Sequence, residues 1–219
     1  VDRLSPREAR ELQEHLAGRV HLQPLPASFS VLAAADLSYL KESRELIAVI
    51  VTFSWPDLSP LETVHVTGPI RFPYVPGLLS FREIPAMLQA YERLRHPPDV
   101  FLCDGQGLAH PRRFGLACHL GVLLGLPTVG CAKTRLCGDH APLGPLRGDR
   151  QPLLLDGAHV GYVYRSKTRV KPLYVSPGHL ADCDSALHLV ERCLGPYRIP
   201  EPLRMAHHAA AMLRKRACL

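Results

Sequence analysis

Three charged residues stand at comparable places in the chain. Asp36 closes the apolar run VLAAAD, Asp104 closes VFLCD, and Lys133 follows TVGCA. Each run has the length and residue types of a buried strand, so all three side chains sit where a strand runs out. In an open α/β sheet, ligands bind at that end. If the three strands are neighbours, strand spacing brings these side chains within reach of one another. Two carboxylates held that close repel unless a positive charge lies between them. A divalent ion such as Mg²⁺ answers this need, because it takes oxygen ligands and keeps waters for substrate phosphates. Lys133 then neutralises a phosphate or positions a water. The competing reading is that each Asp caps the next turn and that DGQG is an ordinary Gly-rich turn. Three strand ends coinciding weigh against it, but they do not name a reaction.

Other residues are open to two readings. Glu83 could join the acidic pair, yet Ser80 to Glu83 also fits a helix capping box. His207 and His208 lie on a C-terminal helix and read equally as surface residues. In RFPYVPGLLSFRE (71–83), Pro73 and Pro76 stiffen the backbone around Tyr74. Gly77 then lets the chain turn away. A rigid loop with an aromatic ring suits a packed corner or a tool pressed against something outside.

The elements that must position these residues follow from periodicity. Ser5, Pro6 and Glu8 open a helix with a capping box. Strand-like runs at 30–40, 45–54 and 61–68 are joined by KES and WPDLSP, connections too short for crossover helices, which predicts an antiparallel meander. A helix over 81–95, a strand at 99–104, a helix over 112–125 and a strand at 127–133 then alternate as βαβ units with parallel pairing. A polar stretch (134–152) reads as a long functional loop. Strands at HVGYVYRS and PLYVS, a helix near 182–194 and another over 201–216 complete the chain. The order describes one α/β domain over residues 1–219, with three antiparallel strands and then parallel strands in a mixed sheet flanked by helices.

Composition fits a globular chain of 219 residues, 47% hydrophobic and 21% charged, with a net charge of +6 that permits a polyanionic partner. Seven cysteines are scattered singly, without the spacing of a zinc site or a disulfide framework. No stretch reads as a membrane span and the N-terminus lacks a signal-peptide core, so a cytoplasmic protein is expected.

The segments AAADLSYL, PYVPGLLSFRE, FLCDGQGLAHPRRFGLACHLGVLLGLPTVGCAK, KPLYVSPGH and RIPEPLRMAH together resemble the endonuclease V family, in order, from about residue 30 to 207. The resemblance implies an RNase H-like fold, in keeping with the element order above. It implies that Asp36, Asp104 and Glu83 are metal ligands for Mg²⁺, with Mn²⁺ as a substitute, and that Lys133 and His207 are catalytic. It implies a wedge at Pro73, Tyr74, Val75 and Pro76, and an inosine pocket from Leu79, Gly105, Gly107, His110, Gly115, Leu116 and Leu136. The expected reaction is hydrolysis of the second phosphodiester bond 3′ to inosine in DNA, or in inosine-containing RNA, leaving 3′-OH and 5′-phosphate, by a monomer acting in DNA repair. The doubled His207-His208 leaves the identity of the site histidine open, although RMAH favours the first. A phosphoryl-accepting α/β domain fits poorly, since its first strands would need crossover helices. A structure-selective nuclease of the same fold lacks a reason for the wedge and pocket. A binding module without catalysis would be missing an acid or the lysine.

Overall fold

Strand-type runs become strands where periodicity places them. A computed structural model describes residues 4–40 and 43–217; Lys41 and Glu42 of the KES turn lie outside the described residues. The chain runs α1 (Pro6–Ala17), β1 (Val31–Leu40), β2 (Glu45–Ser54), β3 (Pro60–Pro69), α2 (Leu79–Tyr91), β4 (Val100–Cys103) and α3 (Leu116–Leu124). It continues with β5 (Thr128–Ala132), β6 (Arg150–Leu155), β7 (Ala158–Tyr164), β8 (Leu173–Pro177), α4 (Cys183–Arg192) and α5 (Glu201–Ala217).

All eight strands join one mixed sheet in the order β3-β2-β1-β4-β5-β8-β7-β6. β1, β2 and β3 form the antiparallel meander. β1, β4 and β5 pair in parallel and are neighbours, the condition on which the strand-end argument rested. Beyond β5 the sheet returns to antiparallel pairing through β8, β7 and β6. This is the mixed α/β architecture expected of an RNase H-like chain.

One sheet face packs against α4 and α5 through Leu187, Val190, Leu203 and Ala206. The other packs against α2 and α3 through Ile84, Met87, Ala117 and Leu120. β4 lies between them, with Leu102 in the first cluster and Phe101 in the second, both fully buried. Burying each side chain stabilises the fold by roughly 1.5–3 kcal/mol. A one-residue slip would exchange the two faces, so this packing also fixes which way Asp104 points.

Three boundaries differ from the sequence expectation. α2 starts at Leu79 with Leu78 as its N-cap and no side-chain cap. Ser80 instead lies 3.0 Å from His119 Nδ1 through its hydroxyl, so the Ser80–Glu83 capping box does not form. α3 starts at Leu116 rather than 112, because Arg113 adopts a left-handed φ of 51° that no helix interior holds. β6 lies partly inside the stretch expected to be loop. β6 is the outer edge of the sheet, where a proline such as Pro152 is tolerated.

Candidate active site

The parallel pairing of β1 with β4 ends at Ala35 opposite Cys103. The next residue on each strand is an aspartate, so register alone sets Asp36 beside Asp104. Side chains alternate between faces, and both follow Ala34 and Leu102 onto the α4/α5 side. Lys133, two residues past the buried Cys131 of β5, shares that side and pairs with Asp104 Oδ2. From α5, His207 Nδ1 lies 2.8 Å from Asp36 Oδ2. Both histidines are exposed, but His208 makes no hydrogen bond among the described residues, so the contact with Asp36 makes His207 the one that faces the site.

Glu83 arrives from the opposite face. It stands one turn before Met87 on the α2 stripe that packs on the sheet, which carries it to the end of β1. There Tyr39 donates its hydroxyl to Glu83 Oε1 at 2.7 Å. Glu83 is only 6% exposed. Burial pushes its carboxyl up to about 7, the Tyr39 hydrogen bond opposes this, and the charges of Asp36 and Asp104 add to the rise. Asp36 is raised for the same reasons, burial first and the neighbouring Asp104 charge second.

The charge of Asp104 is thus felt by both Asp36 and Glu83, yet each of the three carboxylates leans toward its own partner: Lys133 for Asp104, His207 for Asp36 and Tyr39 for Glu83. Among the described residues no three His, Cys, Asp or Glu side chains are gathered as a ready-made cation site. The donor set nevertheless fits a hard divalent cation. All its atoms are oxygens, and one oxygen of each carboxylate accepts no hydrogen bond from the described residues.

Asp104 and Lys133 also border a cavity of about 430 Å³. Its wall contains Tyr74, Val75, Pro76, Leu79, Gly105, His110, Gly115, Leu116 and Leu136 from the expected wedge and pocket. Pro73 and Gly107 are outside that wall. Pro73 is exposed beyond the rim. Gly107 is buried beneath the floor, where a Cβ would meet Pro177 O at 2.0 Å. Sequence reasoning missed Gln106, whose Nε2 donates to Thr134 O at 3.0 Å and ties the floor to the loop carrying Leu136. It also missed Tyr39, and Arg198, whose guanidinium donates to the backbone oxygens of Lys133 and Pro172, both at 2.7 Å. Tyr39 and Arg198 lie inside quoted motifs, but nothing in their spacing marks them.

The Tyr74 loop is rigid at both ends. Phe72 and Leu78 are buried with Phe81 and Ala9, while Tyr74 between them is 70% exposed. Gly77 turns with φ 78°, and its carbonyl accepts from Gln13 of α1 at 3.1 Å and from Arg112 at 2.8 Å. His110 joins them. Arg112 N–H donates to its Nδ1 at 3.1 Å, which leaves Nε2–H to donate to Gly77 O, also at 3.1 Å. An exposed aromatic ring is thus held at the cavity rim by buried anchors.

The sequence model of a family described as Endonuclease V matches residues 14–208. The chain is similar to an endonuclease V of Azotobacter vinelandii, 47% identical over 207 residues, covering 94% of this chain and 94% of the relative. It is similar to the crystal structure of an endonuclease V from Streptomyces avermitilis at 41% identity, with a TM-score of 0.93, covering 99% of this chain and 96% of the other. A structure of Ciona intestinalis endonuclease V, in complex with a 24mer DNA containing an inosine followed by a ribo-adenosine, matches at 26% identity with a TM-score of 0.84, covering 96% and 98%.

Proposed function

The chain belongs to the endonuclease V family, and from that premise we propose that it recognises inosine in DNA and hydrolyses the second phosphodiester bond on its 3′ side, in repair of deaminated adenine. Members of this family are nucleases, hydrolases acting on phosphodiester bonds. The observation that carries the finer reading is the shared border: Asp104 and Lys133 belong both to the carboxylate cluster and to the wall of the cavity. A displaced base in that cavity would leave its own backbone beside the carboxylates. The DNA complex of the Ciona relative supports inosine as the base.

Asp36, Asp104 and Glu83 would hold Mg²⁺, with Mn²⁺ as a substitute. When bound, the ion supplies Lewis-acid stabilisation of the charge that builds on the phosphoryl oxygens. Lys133, fixed through its backbone by Arg198, adds a second positive charge beside the same phosphate. With Nδ1 of His207 engaged by Asp36, its Nε2 is the atom left to exchange a proton with the attacking water or the leaving oxygen. Water oxygen bonds to phosphorus, the P–O3′ bond breaks, and the 3′-oxygen takes a proton, giving 3′-OH and 5′-phosphate.

Taking a base out of a duplex costs a few kcal/mol, least where pairing is weak. An aromatic stacked in the gap recovers about 1–3 kcal/mol. Tyr74 fits that role, since its anchored loop loses little entropy on insertion. The six described cysteines are all free, which supports a reducing compartment such as the cytoplasm. Among the described residues no helix is long and apolar enough to cross a membrane. A single domain acting as a monomer completes the reading.

The test is nicking of end-labelled oligonucleotides carrying one inosine, as DNA or RNA and as single or double strands, with Mg²⁺ or EDTA. The expected product is a Mg²⁺-dependent cut one nucleotide beyond the inosine, lost in Asp36→Ala. Cutting indifferent to inosine would overturn the base reading, and preference for RNA would reassign the substrate.

A further inference from the structure

A second cavity, about 260 Å³, opens on the other side of the carboxylates, between the end of β1 and α5. The base-sized cavity takes Asp104 and Lys133 into its wall; this one takes Asp36 and His207. Its remaining polar wall comes from Ser38, Tyr39 and Arg214. Three observations set it apart from ordinary surface.

First, Ser38 is 8% exposed and lines this cavity, yet its hydroxyl has no hydrogen-bond partner among the described residues. It lies two residues past Asp36 on the same face of β1, toward α5. The oxygen is not sealed from solvent but opens onto the cavity, where it is free to donate to or accept from a ligand. Second, His207, Ala211 and Arg214 are spaced i, i+4, i+7, on one stripe of α5 directed at that strand. Arg214 is exposed and has no ion-pair partner among the described residues. Third, β1 outruns its neighbour. Beyond Ala35 it pairs only with β2, so backbone groups of 36–40 on the β4 side have no strand partner.

A hydroxyl, a guanidinium and free backbone N–H groups around one opening suit a phosphodiester. We propose that Ser38 and Arg214 form a subsite for the strand on the 3′ side of the cut. This rests on the endonuclease reading, which sets the polarity: the base enters the first cavity, the scissile phosphate lies at the carboxylates, and the downstream strand leaves through the second.

The experiment measures binding by fluorescence anisotropy in EDTA, where no cutting interferes. Single-stranded DNAs carry inosine or adenine, and end either one nucleotide past the cut position or about six nucleotides further, a span typical of one strand-binding groove. Wild type is expected to bind the extended strand at least about fivefold more tightly than the short one. Arg214→Gln loses most of that gain and lowers the salt slope on the long strand by about 0.7, one phosphate contact on a single strand. Ser38→Ala loses about twofold to threefold, also only on the long strand. Lys215→Gln, which removes the same charge one residue outside the cavity wall, keeps the gain. No gain from extension in wild type, equal losses in Arg214→Gln and Lys215→Gln, or equal weakening of short and long strands would each overturn the subsite. The adenine strands report separately on the base pocket: loss of inosine preference overturns that reading whatever the strand length shows.

Discussion

Tyr39 of β1 and Glu83 of α2 meet over the end of the sheet, the phenol donating to the carboxylate at 2.7 Å. Arg82 lies over the Tyr39 ring, 4.9 Å from its centroid. The phenol therefore steadies the ionised form of a carboxylate that burial would otherwise neutralise. Tyr39→Phe keeps the ring and removes that donor. A hydrogen bond to a charged group contributes about 1.5–3 kcal/mol, so the Mg²⁺ concentration for half-maximal nicking is expected to rise about tenfold, with activity restored at saturating metal. An unchanged Mg²⁺ titration would reduce the pair to a structural contact.

The two adjacent histidines should behave oppositely. His207→Ala removes the partner of Asp36 and, on the proposed mechanism, a proton-transfer group, so kcat is expected to fall about a hundredfold with little change in KM. His208→Ala, on the exposed side, stays within about twofold of wild type, the ordinary range of surface substitutions. Single-turnover nicking of both variants decides the matter.

Tyr74→Ala should separate duplex from single strand. In the proposed wedge role, stacking is worth about 1–3 kcal/mol only where a gap must be filled. Affinity for inosine-containing duplex is expected to fall about tenfold, and for single strand less than threefold. Equal losses on both, measured by anisotropy, would remove the wedge role.

Gly107 is a matter of space. Its backbone amide donates to Ser176 Oγ at 2.8 Å, and a Cβ would meet the Pro177 carbonyl at 2.0 Å. Gly107→Ala must push β4's following turn off β8, at about 1–3 kcal/mol. Thermal unfolding should show a drop of several degrees, along with weaker inosine preference because the cavity floor moves.

Stability should fall on mild acidification. Burial holds His110 and His119 down at about 4, below the usual 6.5. Between those values the unfolded chain binds more protons than the folded one, so stability is full above pH 6.5 and lost as pH falls toward 4. Each histidine contributes roughly 3 kcal/mol to that loss. Chemical denaturation at pH 7, 5.5 and 4.5 tests it. His119→Gln, which keeps a polar atom for Ser80, should flatten the profile by about half.

Much of the site was legible because strand ends are legible. Asp36, Asp104 and Lys133 each terminate an apolar run, and register did the rest once β1, β4 and β5 proved adjacent. Glu83 was ambiguous alone, since Ser80 to Glu83 has capping-box spacing; the position of Leu78 as N-cap excludes that box, and only the contact with Tyr39 shows that the side chain reaches the end of β1. His207 was likewise undecidable from periodicity, because it takes β1 opposite α5 to say which side of that helix faces Asp36. Tyr39 and Arg198 were invisible, as each acts through a contact between segments distant in sequence. β6 was missed because its first residues continue a polar stretch read as loop; a proline such as Pro152 is tolerated in a strand only at an edge, and edges are known only when the sheet is complete.

The cavity and the carboxylates meet only at Asp104 and Lys133. Val75, His110 and Leu136 line the one, and among the described residues none of them shares a hydrogen bond or ion pair with Glu83, His207 or Asp36 in the other. On the proposed reading, identifying a base and severing the backbone are therefore nearly separable tasks in this chain. Substitutions at those three wall positions can be screened for altered base preference while the hydrolytic apparatus is left as it stands. If the proposed roles hold, the same separation gives descendants of such a sequence room to drift toward other bases without first losing the ability to cut.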